Sequence, residues 1–419
     1  MKYFVRTYGC QMNVADSNEM GRHLRARGVT PTDDQEEASV LIVNTCTVRQ
    51  HAEDRAFSEV GRLKKWKAAR PDRKIVVTGC AAERARDYLE GRFPYVDLIV
   101  GAKSIEEFGG IVDGLLERRP HQEDLDFALP AIEGPVSSYV TIMRGCNYSC
   151  TYCIVPYVRG RESYHSMEQV LGEVRDRVGE GAREIMLLGQ TVNSYHRDGQ
   201  RSKGTDFADL LEAVGAVDGV ERIRFMSPHP YYMTDRVIEA MANVPEVCEG
   251  LHLPVQSGSS AMLRKMQRNY TRESYLELVQ KLRRAMPEIT LSTDVIVGFP
   301  GESEEDFRET LSLVEEVGFD FGFIFKYSAR AGTPAAELEG FPEELIEERH
   351  LECLELMEGG AVRKRERWLD TVQEVLIEED GFGRTRGNAR VAVPDGRVGE
   401  TVKVRIKNSA KTTFAGERV

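Results

Sequence analysis

Short apolar runs alternate with helix-like patterns from the first residues onward, and this alternation leaves few folds open. Tyr3 to Thr7 reads as a strand and Asn13 to Arg27 as a helix, with Asn13 and Asp16 giving it a capping-box-like start. Val40 to Val43 is a second strand, followed by a long helix from about Val48 to Ala69. Ile75 to Thr78 is a third, with a helix from Ala81 to Gly91; Val96 to Val100 is a fourth, and a helix from Ile105 to Glu117 closes the unit. Such alternation predicts an α/β fold with a parallel sheet and helices on its faces.

Each of the first three strands is followed by a turn that ends in cysteine: Tyr8-Gly9-Cys10, Asn44-Thr45-Cys46 and Thr78-Gly79-Cys80. In a parallel sheet the carboxyl ends of the strands share one edge, where ligands bind. Three thiols at equivalent positions would converge on that rim as a three-donor site. A single cysteine there would read as a small buried residue, since free cysteine packs well in cores. The repetition favours a cluster held by three corners, with one iron open.

Pro120 to Pro135 holds prolines and acids without periodicity and reads as a linker. Beyond it, strands are predicted at Tyr139–Met143, Glu184–Leu188, Arg222–Met226, Gly250–Leu253, Leu291–Val297 and Gly322–Tyr327. Helices are predicted between them, at Ser166–Gly179, Phe207–Val214, Arg272–Ala285 and Glu304–Glu316. Six βα units make a barrel short of the usual eight. A charged helix from Pro342 to about Leu369 follows. From Thr371 the pattern changes to short alternating strands, such as Val372–Ile377, Ala389–Val393 and Thr401–Ile406, set off by Gly, Asn and Pro turns. That predicts a small β-barrel. It carries Arg384, Arg386, Arg390, Arg397, Lys403, Arg405, Lys407 and Lys411 with few acids between. On a chain of net charge −12, a locally basic barrel reads as a surface for phosphate backbones, with a solvated charged face as the plainer reading.

The densest chemistry lies in Arg144-Gly145-Cys146-Asn147-Tyr148-Ser149-Cys150-Thr151-Tyr152-Cys153, on the loop after the first strand of the second alternation. Clustered thiolates select zinc or iron–sulfur. Structural zinc wants four donors, usually as two separated pairs. Three close cysteines suit three corners of a [4Fe–4S] cluster, leaving one iron for a small molecule. No stretch approaches the roughly 20 apolar residues of a membrane span. Met1 to Val5 runs straight into a strand without a signal-peptide core. A cytoplasmic protein is expected, in which 8 cysteines point to metal or redox chemistry rather than to a disulfide framework. Cys248 and Cys353 read as ordinary thiols, Cys353 on an apolar helix face. His229, between prolines, reads as structural more readily than as a general base. The basic runs Arg62 to Lys67 and Arg363 to Arg367 fit either RNA contacts or solvated helix faces.

The spacing Cys-x3-Cys-x2-Cys resembles the signature of the radical S-adenosylmethionine (SAM) enzymes. In that superfamily the open iron chelates the amino and carboxylate groups of SAM, and an electron from the cluster yields a 5′-deoxyadenosyl radical. Pro156 to Glu162, and the two cysteine triads in this order, are similar over essentially the whole chain to the methylthiotransferase family. The resemblance implies a domain at 1–118 with an auxiliary cluster on Cys10, Cys46 and Cys80, and a linker at 119–135. A partial barrel at 136–369 would carry the SAM-cleaving cluster on Cys146, Cys150 and Cys153. A TRAM-like β-barrel at 370–419 would bind RNA, with Arg384, Arg386, Arg390, Lys403 and Arg405 as candidate contacts. The implied cofactors are two [4Fe–4S] clusters and SAM, as methyl donor and radical source. Leu188-Gly189-Gln190 resembles the Gly-Gly-Glu element that takes the SAM amino group, and Asp294 to Glu302 resembles the glycine-rich strand edge of that superfamily. Together with the polar strand ends at Ser227 to Pro230 and Leu253 to Gly258, these give Gly189, Gln190, Asn193, Ser227, Gln256, Asp294 and Gly298 as candidate SAM contacts.

Tyr8 to Asn13, Asn44 to Arg49, Leu188 to Tyr195, Tyr327 to Thr333 and Gly383 to Asn388 look like the branch acting on isopentenyladenosine in tRNA. The branch modifying a ribosomal-protein aspartate typically has Leu-Gly-Cys-Pro-Lys-Asn at the first of these, and the threonylcarbamoyladenosine branch also differs there. The implied reaction exchanges the hydrogen on C2 of an adenine beside the anticodon for a methylthio group. An aromatic C–H offers no acidic proton, so a carbon radical rather than an acid–base pair removes it. One SAM would methylate sulfur on the auxiliary cluster and a second would supply the radical, with the base out of its stack. The expected partners are tRNA carrying isopentenyladenosine in its anticodon stem-loop, an electron donor such as flavodoxin or ferredoxin, and a sulfur source. No membrane is expected, and the chain is expected to be a monomer. The alternatives are a methylthiotransferase for another substrate, or a non-catalytic iron–sulfur RNA-binding regulator that makes no 5′-deoxyadenosine.

Overall fold

The computed structural model describes residues 1–48, 50–116, 135–195, 205–410 and 413–419. The predicted linker, apart from Pro135, lies outside the described residues, as do Arg49, Glu117 and Lys411. The chain divides into two compact units. Arg144–Tyr148 and Ile154–Ser163 belong with the N-terminal unit, and Ser149–Cys153 with the C-terminal one.

In the first unit, strands β1 (Lys2–Thr7), β2 (Thr30–Pro31), β3 (Val40–Thr45), β4 (Lys74–Gly79) and β5 (Leu98–Gly101) form a parallel sheet in the order β2-β1-β3-β4-β5. β3 is buried along its whole length, as a central strand covered on both faces must be. Its alternate residues serve two cores. Val40 and Ile42 pack with Met20 and Leu24 of helix Gln11–Arg25 and with Phe108 and Val112 of helix Phe108–Leu116. Leu41 and Val43 pack with Ala56, Val60 and Leu63 of helix Gln50–Ala68. The sheet order reverses direction between β1 and β3, which makes the crevice at those carboxyl ends the topological switch point.

Three details differ from the sequence expectation. β2 is two exposed residues and carries no apolar signal. The helix expected from Ala81 to Gly91 is two short ones, Cys80–Arg84 and Arg86–Arg92. The first helix starts at Gln11 with Cys10 as its N-cap, so Asn13 and Asp16 are not a capping box. Both are fully buried, and Asn13 Nδ2 donates to Asn44 Oδ1 at 3.0 Å and to the Thr45 carbonyl at 3.1 Å. A tertiary hydrogen-bond set has displaced the local capping preference.

In the second unit, β6 (Ser137–Thr141), β7 (Glu184–Leu188) and β8 (Arg222–Phe225) form one three-stranded parallel sheet. β9 (Gly250–His252), β10 (Thr290–Val297) and β11 (Phe321–Lys326) form another, each in sequence order. A backbone bridge from Ile223 to Val247 links the two. The result is the partial barrel expected from six βα units. Helices Met167–Gly179, Phe207–Gly215, Arg272–Ala285 and Glu304–Val317 bury their apolar faces in its core, as do Asp235–Asn243 and Ser260–Lys265, which the pattern had not marked. Among the described residues no helix is long and apolar enough to cross a membrane.

After helix Glu343–Glu366 comes a closed five-stranded barrel of β12 (Val372–Glu379), β13 (Phe382–Thr385), β14 (Arg390–Ala392), β15 (Thr401–Ser409) and β16 (Thr413–Arg418). It docks through two buried arginines of β8. Arg222 Nη1 donates to the Arg384 carbonyl at 2.7 Å, and Arg224 donates to the Arg386 and Thr385 carbonyls, each at 2.7 Å. Glu184 on β7 meets Arg224 Nε at 2.8 Å, so that charge is compensated where it is buried.

Candidate functional site

β1, β3 and β4 lie side by side, and each runs into a cysteine. Cys10 caps the helix after β1, and Cys80 opens the helix after β4. Cys46 Sγ accepts from the Val48 amide at 3.4 Å. The turns are braced on one another: Thr45 Oγ1 donates to the Thr78 carbonyl at 2.6 Å and accepts from the Ala82 amide at 3.1 Å. A Cβ on Gly9 would stand 2.8 Å from Cys46 Cβ, and one on Gly79, at φ +98°, would stand 2.3 Å from the Thr45 carbonyl oxygen. Only glycine fits so close an approach. Gly79→Ala is therefore expected to destabilise the first unit by about 3 kcal/mol. Denaturant unfolding of wild type and variant checks this, and an unchanged midpoint would refute it.

The rim carries a buried charge network. Asp16, with no solvent exposure, accepts from Arg144 Nη1 at 2.5 Å and from Arg159 Nη2 at 2.9 Å. Arg144 also meets Glu19 at 2.6 Å. Cys80 packs with Ala102, Ile154 and Val158. Burial pushes its thiol up to about 11; Arg159 opposes that shift, and Cys46 and Cys10 reinforce it. Among the described residues no three His, Cys, Asp or Glu side chains are placed to hold a single metal ion. A cubane sets its corner ligands wider apart than one ion does.

In the second unit Thr151 anchors the middle of the cysteine loop. Its amide donates to the Met266 carbonyl at 3.2 Å, its hydroxyl to the Lys265 carbonyl at 3.1 Å, and its carbonyl accepts from the Ala335 amide at 2.8 Å. Cys150 Sγ accepts from Arg268 Nη1 at 3.3 Å, and Arg268 lies over the Tyr270 ring. Neither Arg268 nor the Asp16–Arg159 pair was singled out in the sequence. Their partners are more than a hundred residues away, and no spacing rule reaches that far.

The candidate SAM residues fall into two groups at the carboxyl ends of the strands. After β7 and β8, Gln190 Oε1 is buried without a hydrogen-bond partner among the described residues. Ser227 holds a left-handed φ of 62°, and the Val192 amide donates to its carbonyl at 3.3 Å. Asn193 is turned onto the backbone of His229, donating to its carbonyl at 3.0 Å and accepting from its amide at 2.8 Å. After β9 and β10, Gln256 has φ 71° and its amide donates to the Asp294 carbonyl at 2.8 Å, while Asp294 Oδ2 meets His252 Nε2 at 3.3 Å. A left-handed φ at a non-glycine residue stores strain, and such residues cluster at functional sites. The two glycines answer to packing: a Cβ on Gly189 would meet Met143 Cγ at 2.5 Å, and one on Gly298 would meet Ile346 Cγ1 at 2.6 Å.

His229 is buried as the cap of the short helix Pro230–Tyr232, and its Nδ1 accepts from the Tyr231 amide at 3.2 Å. Burial, then Arg268, lowers its pKa from 6.5 to about 2. Folded, the ring stays neutral; unfolded, it takes a proton below pH 6.5. Its contribution is complete above that pH and declines as pH falls from 6.5 towards 2, by up to about 1.4 kcal/mol per pH unit. His229→Asn is expected to lose stability less steeply than wild type between pH 7 and about 5 in denaturant unfolding. Parallel curves would refute this.

The candidate RNA contacts face acids that the sequence count had not placed opposite them. Arg384 pairs with Glu378 at 3.2 Å, and Arg390 with Glu379 at 3.2 Å. Arg386 is spent on docking, with Glu249 at 2.8 Å and the Val247 carbonyl at 2.7 Å. Arg405 donates to the Asp370 carbonyl at 3.2 Å, and Lys403 is exposed. Cys353 is a buried thiol that burial pushes up to about 12, and Cys248 is buried too.

Residues 2–101 match the family described as Uncharacterized protein family UPF0004, and residues 140–314 match the Radical SAM superfamily. The tRNA-2-methylthio-N(6)-dimethylallyladenosine synthase of Clostridium botulinum (strain Loch Maree / Type A3) is 40% identical over 438 residues, covering 100% of this chain and 97% of the relative. The enzyme of the same description from Carboxydothermus hydrogenoformans is 43% identical over 428 residues, covering 96% of each. The chain belongs to the radical-SAM methylthiotransferases. Among solved structures, the radical SAM methyltransferase TsrM from Kitasatospora setae aligns with a TM-score of 0.59 at 13% identity, covering 80% of this chain and 77% of that one. The cobalamin-dependent SAM radical enzyme OxsB aligns with a TM-score of 0.53 at 14% identity, covering 85% and 56%. Those two likenesses show the fold alone.

Membership of the radical SAM superfamily brings SAM and a [4Fe–4S] cluster to this methylthiotransferase. The residues fit both. A loop of three soft donors, with Arg268 beside Cys150, suits an anionic cluster. The orphaned Gln190 Oε1 suits an ammonium donor such as the amino group of SAM.

Proposed function

We propose that this methylthiotransferase adds a methylthio group to C2 of N6-isopentenyladenosine beside the anticodon of tRNA. The observation that carries the reading is the placement of Cys10, Cys46 and Cys80 after three adjacent strands at the switch point of a β2-β1-β3-β4-β5 sheet. In this reading those thiols hold an auxiliary [4Fe–4S] cluster, and Cys146, Cys150 and Cys153 hold the SAM-cleaving one. The bound cofactors supply the electron that cleaves SAM and the sulfur that becomes the methylthio group.

The chain's own groups orient and shield. Gln190 Oε1 accepts from the SAM ammonium. The turns at Ser227 and Gln256 present their backbone to the rest of SAM, and Asn193 and Asp294 hold those turns in place. The partial barrel keeps water from the reacting centre. The segments 1–118, 119–135, 136–369 and 370–419 serve as auxiliary-cluster domain, linker, radical SAM domain and TRAM-like module, the last gripping the anticodon arm through Lys403 and Arg405 with help from Arg384 and Arg390. The protein works in the cytoplasm as a monomer, with flavodoxin or ferredoxin as electron donor and a separate sulfur source.

Anaerobic reconstitution with iron, sulfide, SAM and a reductant, followed by an anticodon stem-loop carrying isopentenyladenosine, tests this. Nucleoside mass spectrometry is expected to show the 2-methylthio derivative. Product on threonylcarbamoyladenosine RNA or on a ribosomal-protein aspartate instead would move the substrate. RNA binding without 5′-deoxyadenosine would make the chain a regulator.

A further inference from the structure

Arg159 ends the short helix Val155–Arg159, which Gly160 terminates at φ +77°. Its side chain is 5% exposed and holds Asp16 Oδ2 at 2.9 Å. Asp16 stands on the helix that Cys10 caps, while Val158 and Ile154, from the segment that carries Arg159, pack on Cys80. The segment that carries Arg159 thus touches both the helix that Cys10 caps and the start of the one that Cys80 opens. Arg144, the other partner of Asp16, has Glu19 at 2.6 Å and Glu106 at 3.3 Å to answer its charge. Burial disfavours the charge on Arg159, and Cys80, Asp16 and Cys10 favour it.

We propose that Arg159 is a positioning residue for the cluster of Cys10, Cys46 and Cys80, supplying the fixed positive charge against which an anionic sulfur ligand is held at its open iron. This rests on the cluster assignment under Proposed function. An oxidised cubane bound by three thiolates is already anionic, and a hydrosulfide or thiolate on the open iron adds further negative charge beside the buried Cys46 and Cys80, Cys10 being the exposed member of the three. Such charge is costly to bury unless a counter-charge is fixed nearby. A guanidinium is the suitable group, because it stays protonated and its donors form a planar fork. A nearby positive charge also raises the reduction potential of a cluster.

The test uses the full chain with Cys146→Ser, Cys150→Ser and Cys153→Ser, so that only the auxiliary cluster assembles. Iron content, midpoint potential by EPR-monitored titration, and EPR response to sodium hydrosulfide are read on this parent, on Arg159→Gln and on Arg159→Lys. Arg159→Gln is expected to shift the midpoint to more negative values and to raise half-saturating hydrosulfide about tenfold at full iron content. Arg159→Lys, which keeps the charge, is expected to restore both. A clamp without an electrostatic role would leave the potential in place, and an Arg159→Gln protein indistinguishable from the parent overturns the proposal. Should Arg159→Gln take up no iron, Arg159→Lys decides: parent-like potential and hydrosulfide binding support the proposal, and loss of either at full iron content overturns it. A parent that takes up no cluster overturns the cysteine assignment itself, and the proposal with it.

Discussion

Cys150→Ala is expected to lower 5′-deoxyadenosine release by about a thousandfold or more, whereas Cys10→Ala should leave most of that release intact and abolish the methylthio product. The two thiol sets differ in what surrounds them. Cys150 sits against Arg268 on a loop pinned by Thr151 to the Met266 and Lys265 carbonyls. The strand ends with the orphaned Gln190 acceptor and the left-handed Ser227 and Gln256 belong to the same unit. Cys10 caps the helix that follows β1 of the other sheet, next to Gly9, which lies against Cys46. Loss of one thiol from either set should remove about four irons per chain. The check is quantified 5′-deoxyadenosine and modified nucleoside from reconstituted variants whose circular dichroism matches wild type. Equal loss of SAM cleavage in both would defeat the division of labour.

The second large effect concerns folding. Asp16→Asn is expected to cost about 3–5 kcal/mol, because it strips the shared carboxylate from two buried guanidiniums. Arg144 and Arg159 have side chains 8% and 5% exposed, so water cannot take over. Arg144 keeps Glu19, which limits its share of the loss. Urea unfolding of the metal-free chain measures it, with Glu37→Gln as control. Glu37 pairs with Lys2 in the open, where solvent screens the pair, and its loss should leave the midpoint unchanged. Equal midpoints for the two variants would mean that the buried network contributes nothing.

The parallel architecture could be read from the chain because its strands are runs such as Val40 to Val43 whose composition alone demands burial on both faces. The cysteine rim was legible for the same reason: once strand ends are placed, a residue just beyond each end is placed too. Arg268 and Arg159 were not. Arg268 meets Cys150 and Arg159 meets Asp16 across more than a hundred residues of chain, and an arginine in a helix or loop carries no mark of such use. Asp16 looked like part of a cap because its spacing from Asn13 fits one, yet burial made a better claim on it. Arg222 and Arg224 interrupt a strand that reads as core, and only the docked β-barrel explains them. Composition likewise carries no sign of the acids beside that barrel's arginines, where Glu378 meets Arg384 and Glu379 meets Arg390.

The separation of Cys10, Cys46 and Cys80 along the chain bears on how the enzyme matures. A nascent polypeptide carries Cys146, Cys150 and Cys153 within one short stretch, ready to capture metal before any tertiary structure exists. The other trio is brought to one edge only when β4 has joined β3, so iron offered earlier finds scattered thiols there. On the two-cluster reading proposed above, loading should therefore proceed in a fixed sequence during biogenesis, the compact loop first and the sheet edge last.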